Sequence, residues 1–287
     1  MAGVQDRVIV ITGAGNGLGR EYALTLAASG AKVVVNDLGG SRDGTGAGSA
    51  AADAVVQEIT PAGGAAVANY DSVATADGGK AIVQTALDAF GRIDGVIANA
   101  GILHDKAFHK MSFEDWDSVL QVHLYGAFNT IHAAWPHLRE QQHGRIVVAT
   151  STSGIFGNFG QSNYGAAKSG MIGLINTLAI EGRKANVFAN AVAPMAATRM
   201  TQDAAPPEVL AALGPEHVAP VVGHLCSDEL TESGSVLVVG GGRVYRVAQF
   251  QTKGVTFAEV PSIEEVGRRW NEISDVDGAV LGINPVG

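Results

Sequence analysis

The stretch Thr12 to Gly19, T-G-A-G-N-G-L-G, constrains the fold of this chain more than any other. It follows the short apolar run Arg7 to Ile11 and opens a segment, Gly17 to Ser29, in which Leu18, Tyr22, Leu24 and Leu26 recur as on a helix facing a sheet. Lys32 to Asn36, K-V-V-V-N, is again strand-like. Strand, glycine turn, helix and strand within about 30 residues make a β-α-β unit. In that setting Gly13, Gly17 and Gly19 let backbone amides and the helix N-terminus approach an anionic pyrophosphate without side-chain obstruction. Glycine turns are common, and the strand-turn-helix context gives this one its meaning.

The alternation continues. Ala50 to Thr60 reads as helix and Ala65 to Asn69 as strand, then Asp77 to Phe90 as helix and Asp94 to Ala98 as strand. A helix from Trp116 to Glu140, bent at Pro136, leads to a strand from Arg145 to Thr150. After one more helix, Val187 to Val192 and Ser235 to Val239 read as the sixth and seventh strands. Such alternation implies an α/β, Rossmann-type fold: a doubly wound parallel seven-stranded sheet with helices on both faces.

The pattern changes after Gly242, so residues 1–242 are expected to form a nucleotide-binding catalytic domain and 243–287 a C-terminal extension. In the extension Val244, Val247 and Phe250 fit a strand or an extended tail, and Ser262 to Ile273 fits one helix with Ser262 and Glu265 as a capping box. About forty-five residues are too few for an independent core. The extension is expected to pack on the same domain or on a partner subunit.

Asp37 ends the second strand about 20 residues after the glycine turn, where a carboxylate accepts hydrogen bonds from ribose hydroxyls. It would repel a 2′-phosphate, and Ala14 to Asn16 hold no basic residue to receive one, which favours NAD over NADP. Arg42, in the next loop, is the one cation that can swing toward such a phosphate. The glycine-rich run Gly39 to Ser49 around it reads as a flexible surface excursion.

Tyr164 and Lys168 stand one helical turn apart, on one face if the segment is helical. An ammonium favours the phenolate of a neighbouring tyrosine. Bringing a phenol from about 10 to about 7 takes roughly 4 kcal/mol, which one cation supplies only in part. A second positive group is needed.

The net charge of −9 argues against nucleic acid or an anionic membrane as partner. No apolar run approaches the roughly 20 residues of a membrane span, and no leader is recognisable. Cys226 is the only cysteine, which excludes an internal disulfide and fits a reducing compartment, so a cytoplasmic location is expected. His104, His109, His132, His137, His143, His217 and His224 show no ligand-like pairing, so no metal is expected.

With Thr12-Gly-x-x-x-Gly-x-Gly19, Asn99-Ala-Gly101, Ser151 and Tyr164-x-x-x-Lys168 in this order, residues 4 to 242 resemble the short-chain dehydrogenase/reductase family. More narrowly, N-D-L-G-G at 36–40, N-Y-D-S-V at 69–73, V-H-L at 122–124, G-N-F-G-Q at 157–161 and I-E-G-R-K at 180–184 resemble the (3R)-hydroxyacyl-CoA dehydrogenase part of peroxisomal multifunctional enzyme type 2 and its bacterial single-domain relatives, 17β-hydroxysteroid dehydrogenases among them.

The resemblance implies roles. Tyr164 is the acid/base. Lys168 holds the nicotinamide ribose and lowers the Tyr164 pKa, with the oxidised nicotinamide as the second positive group, and Ser151 binds the substrate oxygen. Spacing alone leaves Thr152 and Ser153 open as substitutes for Ser151. Gly13, Asn16, Gly17, Leu18 and Gly19 line the phosphates, Asp37 the ribose, Asp71 and Ser72 the adenine, and Asn99 with Gly101 the floor beneath the cofactor. Pro194 and Thr198 lie by the nicotinamide carboxamide. Two positions depart from the wider family: Met195 replaces the usual glycine after this proline, and His123 replaces the asparagine that anchors a water leading to the lysine. His123 is read as support for that relay, against the plainer reading of a hydrogen-bonded helix histidine.

The implied activity is NAD-dependent oxidation of a secondary alcohol on a (3R)-3-hydroxyacyl-CoA, with a 17β-hydroxysteroid or a steroid-bearing acyl-CoA as the rival substrate. A 3-oxoacyl carrier-protein reductase and a catalytically idle NAD-binding scaffold rank below these. The family commonly associates through the long helix and the Tyr164 helix, which implies a homodimer or homotetramer.

Overall fold

The computed structural model describes residues 3–197, 208 and 212–282. They fall into two compact units, Met1–Tyr245 and Arg246–Gly287. In the first, strands β1 (Val8–Thr12), β2 (Lys32–Asn36), β3 (Ala65–Asn69), β4 (Gly95–Ala98), β5 (Gly144–Ala149), β6 (Val187–Pro194) and β7 (Val236–Gly240) pair in parallel in the order β3-β2-β1-β4-β5-β6-β7. Beside β7 lies β8 (Arg243–Val247), which brings the sheet to eight strands where the sequence led us to expect seven. The sequence of β8, R-V-Y-R-V, hides it: the strand is almost wholly exposed and lacks the apolar run of a central strand.

The central strands carry that run because both faces are covered. Every residue of β1, β4 and β5 is buried, down to Arg145, whose guanidinium donates to the carbonyls of Ser227, Gly144 and Asn186. On one face lie α1 (Gly17–Ala28), α2 (Ala50–Ile59) and α8 (Ala219–Leu225), packing Tyr22, Leu26, Val55 and Val222 against Ile9, Ile11, Val33 and Val35. On the other lie α3 (Ala76–Phe90), α5 (Gly126–Glu140) and α7 (Ser162–Gly182), packing Ile82, Ile131 and Ile175 against Val10, Val96 and Ile146.

The long helix expected from Trp116 to Glu140 is divided. An α-helix, α4 (Phe113–Leu120), starts at a capping box between Ser112 and Asp115, a π-helical turn spans Gln121–Tyr125, and α5 then runs through Pro136 to Glu140. The irregularity is therefore at His123, not at the proline. In the second unit, Phe250–Gln251 (β9) pairs antiparallel with Val280–Leu281 (β10). The single helix expected from Ser262 is two short ones, α9 (Ile263–Arg268) and α10 (Trp270–Ser274), and the Ser262–Glu265 capping box is present.

Candidate active site

Strand order reverses between β1 and β4, and the cleft at the carboxyl ends of these strands is where an open α/β sheet binds ligands. Gly13, Asn16, Gly17, Leu18, Asp37, Asp71, Ser72, Asn99 and Gly101, all singled out in the sequence, line one cleft together. Gly13 has φ +65°, and a Cβ there would lie 2.8 Å from the Ala100 Cα. Asn99 ties the turn to β4 by donating its amide to the carbonyls of Thr12 and Gly13, while the Thr12 hydroxyl accepts from the Asn99 and Ala100 amides.

The cleft suits a dinucleotide. Helices α3, α4 and α9 cap their first amides with Thr75, Ser112 and Ser262 side chains, but Asn16 makes no capping bond at α1 and the first turn of α1 holds no acidic residue. The amides and positive end of that helix are left for an anion in the cleft. At the other end, the Asp37 carboxylate accepts from the Gly15 amide at 2.8 Å and the Gly39 amide at 2.7 Å, which fixes a negative charge among the lining residues. A carboxylate has lone pairs beyond these two for ribose hydroxyls.

The glycine-rich loop is not the free excursion its composition implies. Gly40, Ser41, Arg42 and Gly44 form part of the cleft wall. The Ser41 amide donates to the Thr45 carbonyl and the Gly48 amide to Leu38, and the Leu103 amide donates to Arg42 across the cleft mouth. Local turns and one long-range backbone bond hold what glycine content alone leaves undetermined.

Tyr164 and Lys168 are both on α7, and Ser151 is the N-cap of α6 (Thr152–Phe156), just beyond β5. The Tyr164 ring packs with Ile102, Val119 and Ala167 at the Ile102 end of the cleft. Ser151 is the hydroxyl that eases the Tyr164 phenol toward ionisation, and its oxygen accepts from the Ser153 amide, so its hydroxyl hydrogen is left for the phenol side. Lys168 is buried, donates to the Ala149 carbonyl, and stands 5.5 Å from the centre of the Tyr164 ring. Pro194 ends β6, and Thr198 lies outside the described residues. Met195 faces Gly240, where a Cβ would lie 2.7 Å from the Met195 Cβ, so the methionine side chain has the room a glycine opposite leaves.

Charge in this pocket differs from the expectation in one respect. Burial pulls Lys168 down to about 7. Burial pushes Tyr164 up, the Ser151 hydrogen bond opposes this, and the Asp105 carboxylate adds to it. In the chain alone the phenol is therefore held above its ordinary value rather than below it. The reason is that burial of the phenol itself outweighs the Ser151 hydroxyl, while burial also lowers the neighbouring ammonium.

His123 sits within the π-helical turn, fully buried, its ring edge-on to Tyr164. Its Nε2 faces both the amide (3.1 Å) and the carbonyl (2.8 Å) of Ile102, and its Nδ1 is buried without a hydrogen-bond partner. Burial, with Lys168 second, holds it well below the usual histidine range, so it is neutral. Gly101 must be glycine to admit this ring: a Cβ there would lie 2.2 Å from the His123 Cε1.

One contributor was missed. Asn163 is wholly buried, donates from Nδ2 to the carbonyls of His104 and Asp115, and accepts the Tyr164 amide on Oδ1. It holds the start of α7 to the segment after β4. An asparagine in an otherwise small-residue helix start was the available signal.

Residues 7–208 match the short chain dehydrogenase family. The chain belongs to the short-chain dehydrogenase family. It is 68% identical over 281 residues, 98% of both chains, to a short-chain type dehydrogenase/reductase of Mycobacterium tuberculosis. It is 51% identical to peroxisomal multifunctional enzyme type 2 of Mus musculus, over 95% of this chain and 37% of that one. The structure of the full-length Drosophila melanogaster enzyme of the same name superposes with TM-score 0.82 at 39% identity, covering 98% of this chain and 47% of that one. Membership makes the chain an oxidoreductase acting on CH–OH groups. No helix among the described residues is long and apolar enough to cross a membrane.

Proposed function

We propose that this short-chain dehydrogenase uses NAD to interconvert a secondary alcohol and a ketone, and that its substrate is a (3R)-3-hydroxyacyl-CoA. The observation that carries the reading is the meeting of Ser151, Tyr164 and Lys168 beside the end of a cleft whose far wall bears Asp37. The extent of likeness to the multifunctional enzymes supports the acyl-CoA substrate.

NAD, when bound, supplies the hydride acceptor and, in its oxidised form, a positive ring. The glycine turn and α1 hold its pyrophosphate, Asp37 its adenosine ribose, Asp71 and Ser72 its adenine, and Pro194 and Thr198 its carboxamide, while Asn99 and Gly101 form the floor. Fixed negative charge at Asp37 favours NAD over NADP. Ser151 orients the substrate oxygen with its hydroxyl hydrogen. Tyr164 takes the hydroxyl proton in oxidation and returns it in reduction. Lys168 fixes the nicotinamide ribose. The unpartnered Nδ1 of His123 supports a proton relay behind the tyrosine.

The chain also assembles as a homodimer or homotetramer, a reading supported by exposed Tyr125 and Phe128 near the start of α5 and Ile180 on α7. A monomer in light scattering contradicts it.

NADH absorbance with (3R)- and (3S)-hydroxyacyl-CoAs and 17β-estradiol tests the substrate. Turnover of the (3R)-thioester supports the reading, and turnover of estradiol alone moves it to steroids. NAD binding with no turnover favours an idle scaffold. A wild-type rate in Tyr164→Phe refutes the acid/base assignment.

A further inference from the structure

Beyond the family residues, the mouth of the site contains an amide that joins three segments. Gln161, immediately before α7, accepts on Oε1 from the Ser153 hydroxyl at 2.8 Å and from the Asn158 amide at 3.1 Å. Two donors on one oxygen leave the side chain a single sensible orientation, with Nε2 pointing the other way. That nitrogen donates to the Asp105 carboxylate at 2.7 Å. Ser153 in turn gives its amide to the Ser151 hydroxyl, so the contacts run unbroken from Ser151 to Asp105.

Asp105 lies on the lip after β4, and a second bond, from the Lys106 amide to the Gly160 carbonyl at 2.8 Å, holds the same two segments together. Two other titratable groups of the lip turn to a different carboxylate. Lys106 pairs with Asp115 at the start of α4 at 2.7 Å, and His104 approaches the same carboxylate at 3.6 Å. Among the charged groups around Tyr164, then, Lys168 comes from its own helix, neutral His123 from the π-helical turn, and Asp115 from α4 is matched by Lys106. Among the described residues Asp105 has no such cation: Gln161 is a neutral partner, which fixes the carboxylate without cancelling its charge.

We propose that Gln161 and Asp105 are a positioning pair for the reaction: Gln161, bonded to Ser153 and to Asp105 at once, holds Ser153, and through it Ser151, in place before the Tyr164 helix. The pair also keeps the lip seated beside Ser151. This rests on the reading of Tyr164 as acid/base. The exposed Asp105 carboxylate adds only the last of three influences on the phenol, pushing it up after burial and against the Ser151 hydroxyl.

The test is the pH profile of kcat/KM for (3R)-3-hydroxyacyl-CoA oxidation in wild type, Asp105→Asn, Gln161→Glu and the double variant, with NADH affinity by fluorescence alongside. Asp105→Asn keeps the shape and an acceptor for Gln161, and is expected to hold kcat/KM within about threefold of wild type. Gln161→Glu sets two carboxylates against each other and is expected to lower kcat/KM about tenfold with NADH affinity held within twofold. The double variant restores donor and acceptor, with the charge now on residue 161, and is expected to recover most of the rate. A wild-type rate in Gln161→Glu, or a double variant no better than Gln161→Glu, overturns the pair. Tyr164→Phe at wild-type rate overturns the acid/base reading instead, which keeps the two failures distinguishable.

Discussion

The imidazole of His123 stands edge-on to the ring of Tyr164, centroids 5.1 Å apart and planes at 88°. The contact exists because the helix between β4 and β5 takes one π-helical turn at Gln121–Tyr125, and such turns within α-helices concentrate at functional sites. The same ring lies against Gly101 and the Ile102 backbone, so His123 joins the cleft wall to the tyrosine.

Removing it separates relay from packing. His123→Ala is expected to lower kcat about tenfold while the Kd for NAD changes less than twofold, and His123→Asn to recover part of the loss. Steady-state kinetics with NAD titration by fluorescence measure both. Turnover unchanged across pH in the alanine variant sinks the relay.

Gly101→Ala is expected to destabilise the protein by about 1–3 kcal/mol, because its methyl would lie 2.2 Å from the His123 Cε1. In a His123→Ala background most of that cost disappears, since the colliding ring is gone. Thermal unfolding of the four proteins completes the cycle, and additive losses contradict the contact.

Lys168 carries a stability cost with a definite sign. Its pKa falls from 10.5 to about 7 on burial, so between those values the unfolded chain binds more protons than the folded one and stability rises with pH. The penalty is full below about 7 and absent above about 10.5. Lys168→Met is therefore expected to raise stability at pH 7 by about 1–2 kcal/mol while abolishing turnover. The gain should shrink toward pH 10, as read from melts at both values.

Asp37→Ala removes both the fixed charge and the anchor of the Gly15 and Gly39 amides. Affinity for NAD is expected to fall about tenfold and the preference over NADP to shrink by more, because the loss of repulsion helps the phosphorylated cofactor. Fluorescence titration with NADH and NADPH checks both, and an unchanged ratio rules out the carboxylate as the discriminator.

What the sequence alone determined is what local pattern encodes. Buried parallel strands are near-continuous apolar runs, so Lys32–Asn36 was readable with its ends, as was the half-buried edge strand Ala65–Asn69 from its small apolar residues, and the glycine turn announced where an anion meets a helix. Lys168 one turn after Tyr164 needed only helical periodicity. Tertiary structure decided the rest because it depends on groups distant along the chain. Exposed β8 has no apolar signature and exists through its neighbour β7. The loop around Arg42 is ordered by the Leu103 amide, and Gly101 and His123 define each other across the helix and the sheet. The phenol of Tyr164 is pushed up rather than down because burial, which no spacing records, acts on it and on Lys168 together.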